Sequence, residues 1–340
     1  MLRRKDTIRR LAGLALASWR WTLGGTVCLL IMLRPLCRAA EPATLKGHAG
    51  WVSSVAFSPD SKTLATASAD QTVRLWDVAA LRERACCRGH TDAISAFCFA
   101  PDHGKSLATA SFDGTVRVWD AATGREQKLL TSHRGAVMAV AFSPDGRALA
   151  SGGVDATVRW WDAATGRLEA VLTAHKTWVN SVAFSNDGRL LATGSSDATV
   201  KLWDVSTRRV RMTLDGRDGE IRSVAFASDG KTLAAGTRYG AVRVWDVATG
   251  RQKASLTGHA GDVWAVAFAP DSKTLVSGDG DWDRPGDVRV WDTATWRERQ
   301  TLKHSGEVLC LAFAPNGKWL AAGSWDRTVK IWAVDSLRWR

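Results

Sequence analysis

Six histidines recur along this chain at regular intervals: His48, His90, His133, His175, His259 and His304, with only His103 outside the series. An imidazole can ligate a metal or act as a general base, so their placement raises both chemistries. Five of the six have an aspartate in register in the following turn: Asp70, Asp113, Asp155, Asp197 and Asp326. A tryptophan then closes each stretch. Trp76, Trp119, Trp161, Trp203, Trp245, Trp291 and Trp332 stand 43, 42, 42, 42, 46 and 41 residues apart, and all but the last are followed by Asp. A His–Asp–Trp set repeated this often satisfies buried polar groups more readily than it performs catalysis, because an indole N–H and an imidazole both need partners once buried. The chain carries no zinc spacing of Cys and His, no Walker loop, no dinucleotide fingerprint and no Gly-x-Ser-x-Gly. No catalytic residue, cofactor or resident metal is therefore expected, and the protein is read as a non-enzyme.

The elements that must hold these residues repeat with them. In the unit from Thr44 to Asp77, a short strand Thr44-Leu45-Lys46 precedes Gly47-His48. An apolar run, Val52 to Phe57, ends at the turn Ser58-Pro59-Asp60-Ser61. A second run, Thr63 to Ser68, ends at Ala69-Asp70, and a third strand is Thr72-Val73-Arg74-Leu75-Trp76. Later units carry Asp145-Gly146 or Asp187-Gly188 in the same turn, a strong hairpin signal because Gly accepts φ > 0. Each unit thus predicts four antiparallel strands. The last unit supplies three, so the strand near 43–46 is expected to complete it and hide two open sheet edges.

The repeated spacing from the His (Gly-His in the first unit) to the closing Trp-Asp, over seven units, six of which keep the His and six the Trp-Asp, resembles the WD40-repeat family across almost all of residues 42–340. The resemblance implies an all-β, seven-bladed β-propeller with four antiparallel strands per blade. It also implies that His, Asp, a strand Ser/Thr and the Trp form one buried hydrogen-bonded network per blade. In the first four units this network is His48, Asp70 and Trp76; His90, Asp113 and Trp119; His133, Asp155 and Trp161; and His175, Asp197 and Trp203. The Ser/Thr of the first unit is Thr66 or Ser68. Unit five departs from the pattern, with Arg217 in place of His and Tyr239 in place of Asp, a paired loss that fits a coupled network.

Composition narrows the function. The apolar fraction of 45% excludes a disordered chain, and six cysteines exclude a disulfide-dense scaffold. The net charge of +12 invites a nucleic-acid reading, but residues 1–41 hold eight basic and two acidic side chains, a balance of +6, so half of the excess lies there. In the remainder, Arg74, Arg117, Arg159, Lys201, Arg243, Arg289 and Lys330 sit two before each Trp. Arg82, Arg125, Arg167, Arg209, Arg251, Arg297 and Arg338 sit six after it. An even ring is read as solvated blade surface with packed aliphatic stems, not as a nucleic-acid stripe. Residues 1–41 combine basic side chains with an apolar run, Trp21 to Leu33, which fits the core of an export signal. Membrane contact is expected only through this segment. The propeller is expected outside the cytoplasm, with membrane anchoring or a cytoplasmic location as the alternatives, and as a monomer.

Function should lie where the units differ. The variable positions follow the His and precede the Asp, which places them in loops at one end of the ring, the face WD40 proteins commonly use for partners. Its candidate partner-binding residues are Trp51, Phe112, Met138, Trp178, Arg222, Arg238, Tyr239, Trp264, Trp282 and Trp325. Trp and Arg dominate interface hot spots. The expected function is a protein-interaction scaffold presenting this face to a protein or peptide. The rivals are an enzyme or small-molecule sensor using the central channel, for which Glu220, Asp262 and Glu307 are the titratable candidates, and a purely structural surface module. The insertion Asp279 to Asp287 has alternating Asp that suggests Ca²⁺, but Arg284 stands where a calcium loop needs Gly, which favours a plain polar loop.

Overall fold

A computed structural model describes residues 41–337 apart from 174, 218, 282 and 283. The expectations for residues 1–40, Trp282 and Arg338 lie outside the described residues. Within them, seven four-stranded antiparallel sheets form the blades of a propeller. The first blade shows why. Val52–Phe57, Thr63–Ser68, Thr72–Asp77 and Arg82–Arg88 are its strands from the inside outward. The second is buried over nearly its whole length, as a near-continuous run of small and apolar residues requires, whereas the outermost strand is mostly exposed and rich in Arg. The blades that follow span 94–131, 137–173, 179–215, 221–256 and 262–303.

The seventh blade joins Val308–Phe313, Trp319–Ser324 and Val329–Ala333 to Ala43–Leu45. Ala43 faces Ile331, Thr44 faces Lys330 and Leu45 faces Val329. The ring therefore closes as its sequence predicts, one residue shorter than the 43–46 expected. The sequence unit and the blade are offset: each repeat begins with the outer strand of the preceding blade. Among the described residues the sole helix is the 3₁₀ turn Val334–Ser336, and no helix is long and apolar enough to cross a membrane.

The core lies between blades rather than inside them. One apolar cluster occupies each of the seven interfaces; Val52, Phe57, Leu64 and Trp76 of the first blade, for example, pack on Cys310, Ala321 and Ile331 of the last. Close packing suits the Gly before His48, His90 and His259: a Cβ on Gly89 would lie 3.1 Å from the Arg117 guanidinium and 3.2 Å from the Trp119 ring.

One device positions the functional end of the ring. Every innermost strand carries a bulge near its start, so that one residue opposes no single partner on the next strand. A bulge bends its strand and re-aims the extra side chain. The seven extra residues are Ser53, Ser95, Met138, Asn180, Arg222, Trp264 and Leu309.

Candidate functional site

The repeated histidines form structural chains. In blade two, Nδ1–H of His90 donates to Asp113 at 2.7 Å, Nε2 accepts from the Thr109 hydroxyl at 2.7 Å, and Trp119 Nε1 donates to the same hydroxyl at 2.8 Å. The direction Trp to Thr to His to Asp satisfies every polar atom with a neutral imidazole, the tautomer being assigned from this pattern. Blades one, three and four repeat it through Thr66, Ser151 and Thr193. Thr66 rather than Ser68 is thus the fourth member in the first blade. Burial lowers the pKa of His90, His133 and His175 against the pull of their aspartates. Burial alone would raise the Asp197 carboxyl, but hydrogen bonds from Thr199, the Lys176 amide and His175 hold it down at about 2.

Three blades differ. In blade six Asp281 stands 22 residues after His259, the spacing of the other units, but the residue at the imidazole is Asp279. It arrives two residues earlier along the chain, 3.0 Å from Nδ1, with Ser277 at 2.6 Å from Nε2. Asp279 is therefore a network residue; among the described residues no group of three or more His, Cys, Asp or Glu side chains could hold a metal. In blade seven Ala322 replaces the Ser/Thr. The Ser305 amide donates to His304 Nδ1 at 3.0 Å, so the proton sits on Nε2, which is buried and unpartnered. Burial, opposed by Asp326, pushes the His304 pKa down to about 4. In blade five Ala235 removes the third member as well. The signal for both losses was the residue ten before each Trp, which the spacing of His, Asp and Trp alone does not reveal.

The variable residues converge elsewhere. All seven bulge residues line a cavity of about 420 Å³ at the mouth of the central channel, joined at its rim by Trp51, Phe112, Trp325 and Glu307. Four of the seven also staple neighbouring blades. Ser53 donates to the Ile94 carbonyl at 2.5 Å, Ser95 to the Val137 carbonyl at 2.6 Å and Asn180 to the Ile221 carbonyl at 2.8 Å, while Arg222 pairs with Asp262 at 3.0 Å. Met138, Trp264 and Leu309 replace polar reach with apolar surface. Trp51 and Trp325 stack with centroids 4.5 Å apart and planes 5° from parallel. Of the residues expected at this face, Trp51, Phe112, Met138, Arg222, Trp264 and Trp325 meet at the cavity. Trp178, 49% exposed, and Tyr239, 73% exposed, do not line it, and neither does Arg238.

Blade five rebuilds its lost network with charge. Glu220 pairs with Arg238 at 2.8 Å and with Arg222 at 3.1 Å, and Arg222 reaches on to Asp262 while lying 4.6 Å above the Trp264 ring. Arg238 covers Tyr239 at 5.2 Å. Glu220 and Asp262 are consequently ion-paired rather than free for acid–base work. The thiol lining the cavity, Cys310, is held protonated, since burial pushes it up to about 12.

The basic ring corrects one expectation. The Arg two before each Trp is not solvated: Arg74 pairs with Glu83 at 2.6 Å, Arg117 with Glu126 at 2.5 Å and Arg159 with Asp155 at 3.2 Å, with side chains no more than 19% exposed. Their stems do pack, as expected, and the second set, such as Arg125 and Arg167, is exposed. Half-buried, neutralised guanidinium groups are poor phosphate ligands.

Comparison with known proteins agrees with this geometry. A family profile described as "IFT122 first beta-propeller" matches residues 97–285, and one described as "WD domain, G-beta repeat" matches 40–77 and 296–333. The chain is 57% identical over 35 residues to the Arabidopsis thaliana protein pleiotropic regulator PRL2, covering 10% of this chain and 7% of that protein. It is 52% identical over 46 residues to the Notchless protein homolog of the same plant, 14% of this chain and 9% of that one. It is 36% identical over 59 residues to small ribosomal subunit protein RACK1y of Oryza sativa subsp. japonica, 17% and 18% of the two chains. Each similarity thus spans less than a fifth of the relative's own length.

Proposed function

We propose that this chain, which belongs to the WD40-repeat family of β-propellers, is a non-enzymatic scaffold whose bulge-lined mouth receives a protein or peptide partner. One observation carries the reading: seven structurally equivalent bulges aim seven mostly different side chains into one cavity, while the residues that repeat are consumed by the scaffold. A framework that fixes backbone positions and varies only what they display is suited to selecting a ligand. The stacked Trp51–Trp325 pair and half-exposed Phe112 supply the rigid aromatic area typical of hot spots. The test is capture from a native extract by the wild type and by a folded Trp51→Ala, Phe112→Ala variant. A protein held by the first and lost by the second is the expected result; identical captures would move the interface off this face.

A cavity of about 420 Å³ also suits a small ligand, which keeps a sensor as the second reading. A small-molecule library that raises the melting temperature without any protein capture would favour it. Export through residues 1–41 is a separate part of the proposal. It rests on their sequence alone, and fractionation of cells expressing the full chain tests it; soluble cytosolic protein retaining Met1 would refute it.

A further inference from the structure

Glu307 differs from every other carboxylate at the mouth. It leads into the innermost strand of blade seven, is only 8% exposed, and is the one carboxylate among the described residues lining the cavity. Its neighbours are compensated: Glu220 by Arg222 and Arg238, Asp262 by Arg222. Glu307 has no such partner, for no Lys, Arg or His among the described residues forms an ion pair with it. Burial first, then the negative charges of Asp281 and Asp262, raise its pKa. The fold nevertheless makes room for it. Its side chain lies against Gly280, where a Cβ would come 2.4 Å from its own Cβ. The Trp325 amide donates to its carbonyl at 3.0 Å, and the stacked Trp51 and Trp325 line the same cavity as Glu307.

A buried carboxylate without a cation is costly, and the cost disappears when a ligand supplies the cation. Aromatic faces favour the same charge. A divalent metal does not fit, since one lining carboxylate falls short of the several oxygens that Ca²⁺ or Mg²⁺ requires. An anion does not fit either, because Arg222, the one lining cation among the described residues, is already paired.

We infer that the cavity receives a lysine or arginine side chain of the partner, its head on the Glu307 carboxylate and its stem against the Trp51–Trp325 stack. This rests on the partner-binding reading of the same mouth. The test offers the immobilised full chain degenerate peptide pools in which one position is fixed as Lys, Arg, Glu or Leu. Retention of the Lys or Arg pools above the others is expected. With the best peptide from them, Glu307→Gln should weaken binding at least about tenfold, the loss of one charge-assisted hydrogen bond. Leu309→Lys, which places a cation of the chain's own at the mouth, should erase the preference and serves as the second variant should Glu307→Gln fail to fold. Equal retention of the Leu or Glu pools, or unchanged binding by both variants, overturns this inference and leaves the partner reading standing. No retention of any pool overturns both. Agmatine, a free amine with the arginine head group, is the last probe, and binding as tight as the peptide's would assign the site to a small amine and refute the side-chain assignment.

Discussion

Blades two and seven share strand order, bulge and closing tryptophan, yet only blade two completes its polar chain. Thr109 links Trp119 to His90, whereas Ala322 leaves His304 Nε2 buried without a partner. Both blades keep the same architecture. The ring is therefore held by the seven apolar interfaces, and the polar chain fixes local geometry within that frame. Blade five makes the same point from the other side: it has lost all three polar members yet keeps its four strands and an apolar cluster on each side.

The largest effect should come from the element the blades share. Trp119→Ala should destabilise by about 4 kcal/mol in denaturant melts, as for other buried aromatics, and Trp332→Ala by a similar amount despite its blade's incomplete chain. A much smaller cost for Trp332→Ala would break the claim that packing dominates. Acid should separate the blades next. The His304 pKa is about 4 when folded against 6.5 when free, so on acidification the unfolded chain takes up the proton first. Its stabilising contribution is full above 6.5 and is lost as pH falls from 6.5 to 4, by about 3 kcal/mol. Melting temperatures measured across that window should fall less steeply in His304→Gln than in the wild type. Thr109→Ala leaves both Trp119 Nε1 and His90 Nε2 unpaired and should cost about 2 kcal/mol, converting blade two into a likeness of blade seven. The smallest effect is the reverse exchange: Ala322→Thr should stabilise by about 1 kcal/mol, read as a raised denaturation midpoint.

Much of this was legible in the sequence because it repeats. The Trp spacing gives seven blades, the Asp-Gly turns give the hairpins, and the surplus strand before Gly47 gives the closure seen between Ala43–Leu45 and Val329–Ile331. The four complete chains follow from register. Asp279 did not, because it reaches His259 from a different position in the strand and hides at the base of an insertion. The bulges were equally hidden: alternation of apolar residues does not announce where one side chain goes unopposed, so the variable positions were visible but their convergence on one cavity was not. The half-buried arginines were misjudged because charge periodicity carries no information about depth; at Arg74, Arg117 and Arg289 a glycine beneath the guanidinium lets it settle inward.

The most direct test of the central claim is site-specific photo-crosslinking from the mouth and from the outer wall of one blade. A benzophenone amino acid would replace Met138, a bulge residue lining the cavity, or Leu129, exposed on the outermost strand Glu126–Thr131 of the blade before it. The partner should be captured from position 138 and not from 129. Capture from 129 alone would contradict the account and place recognition on the rim of the disk.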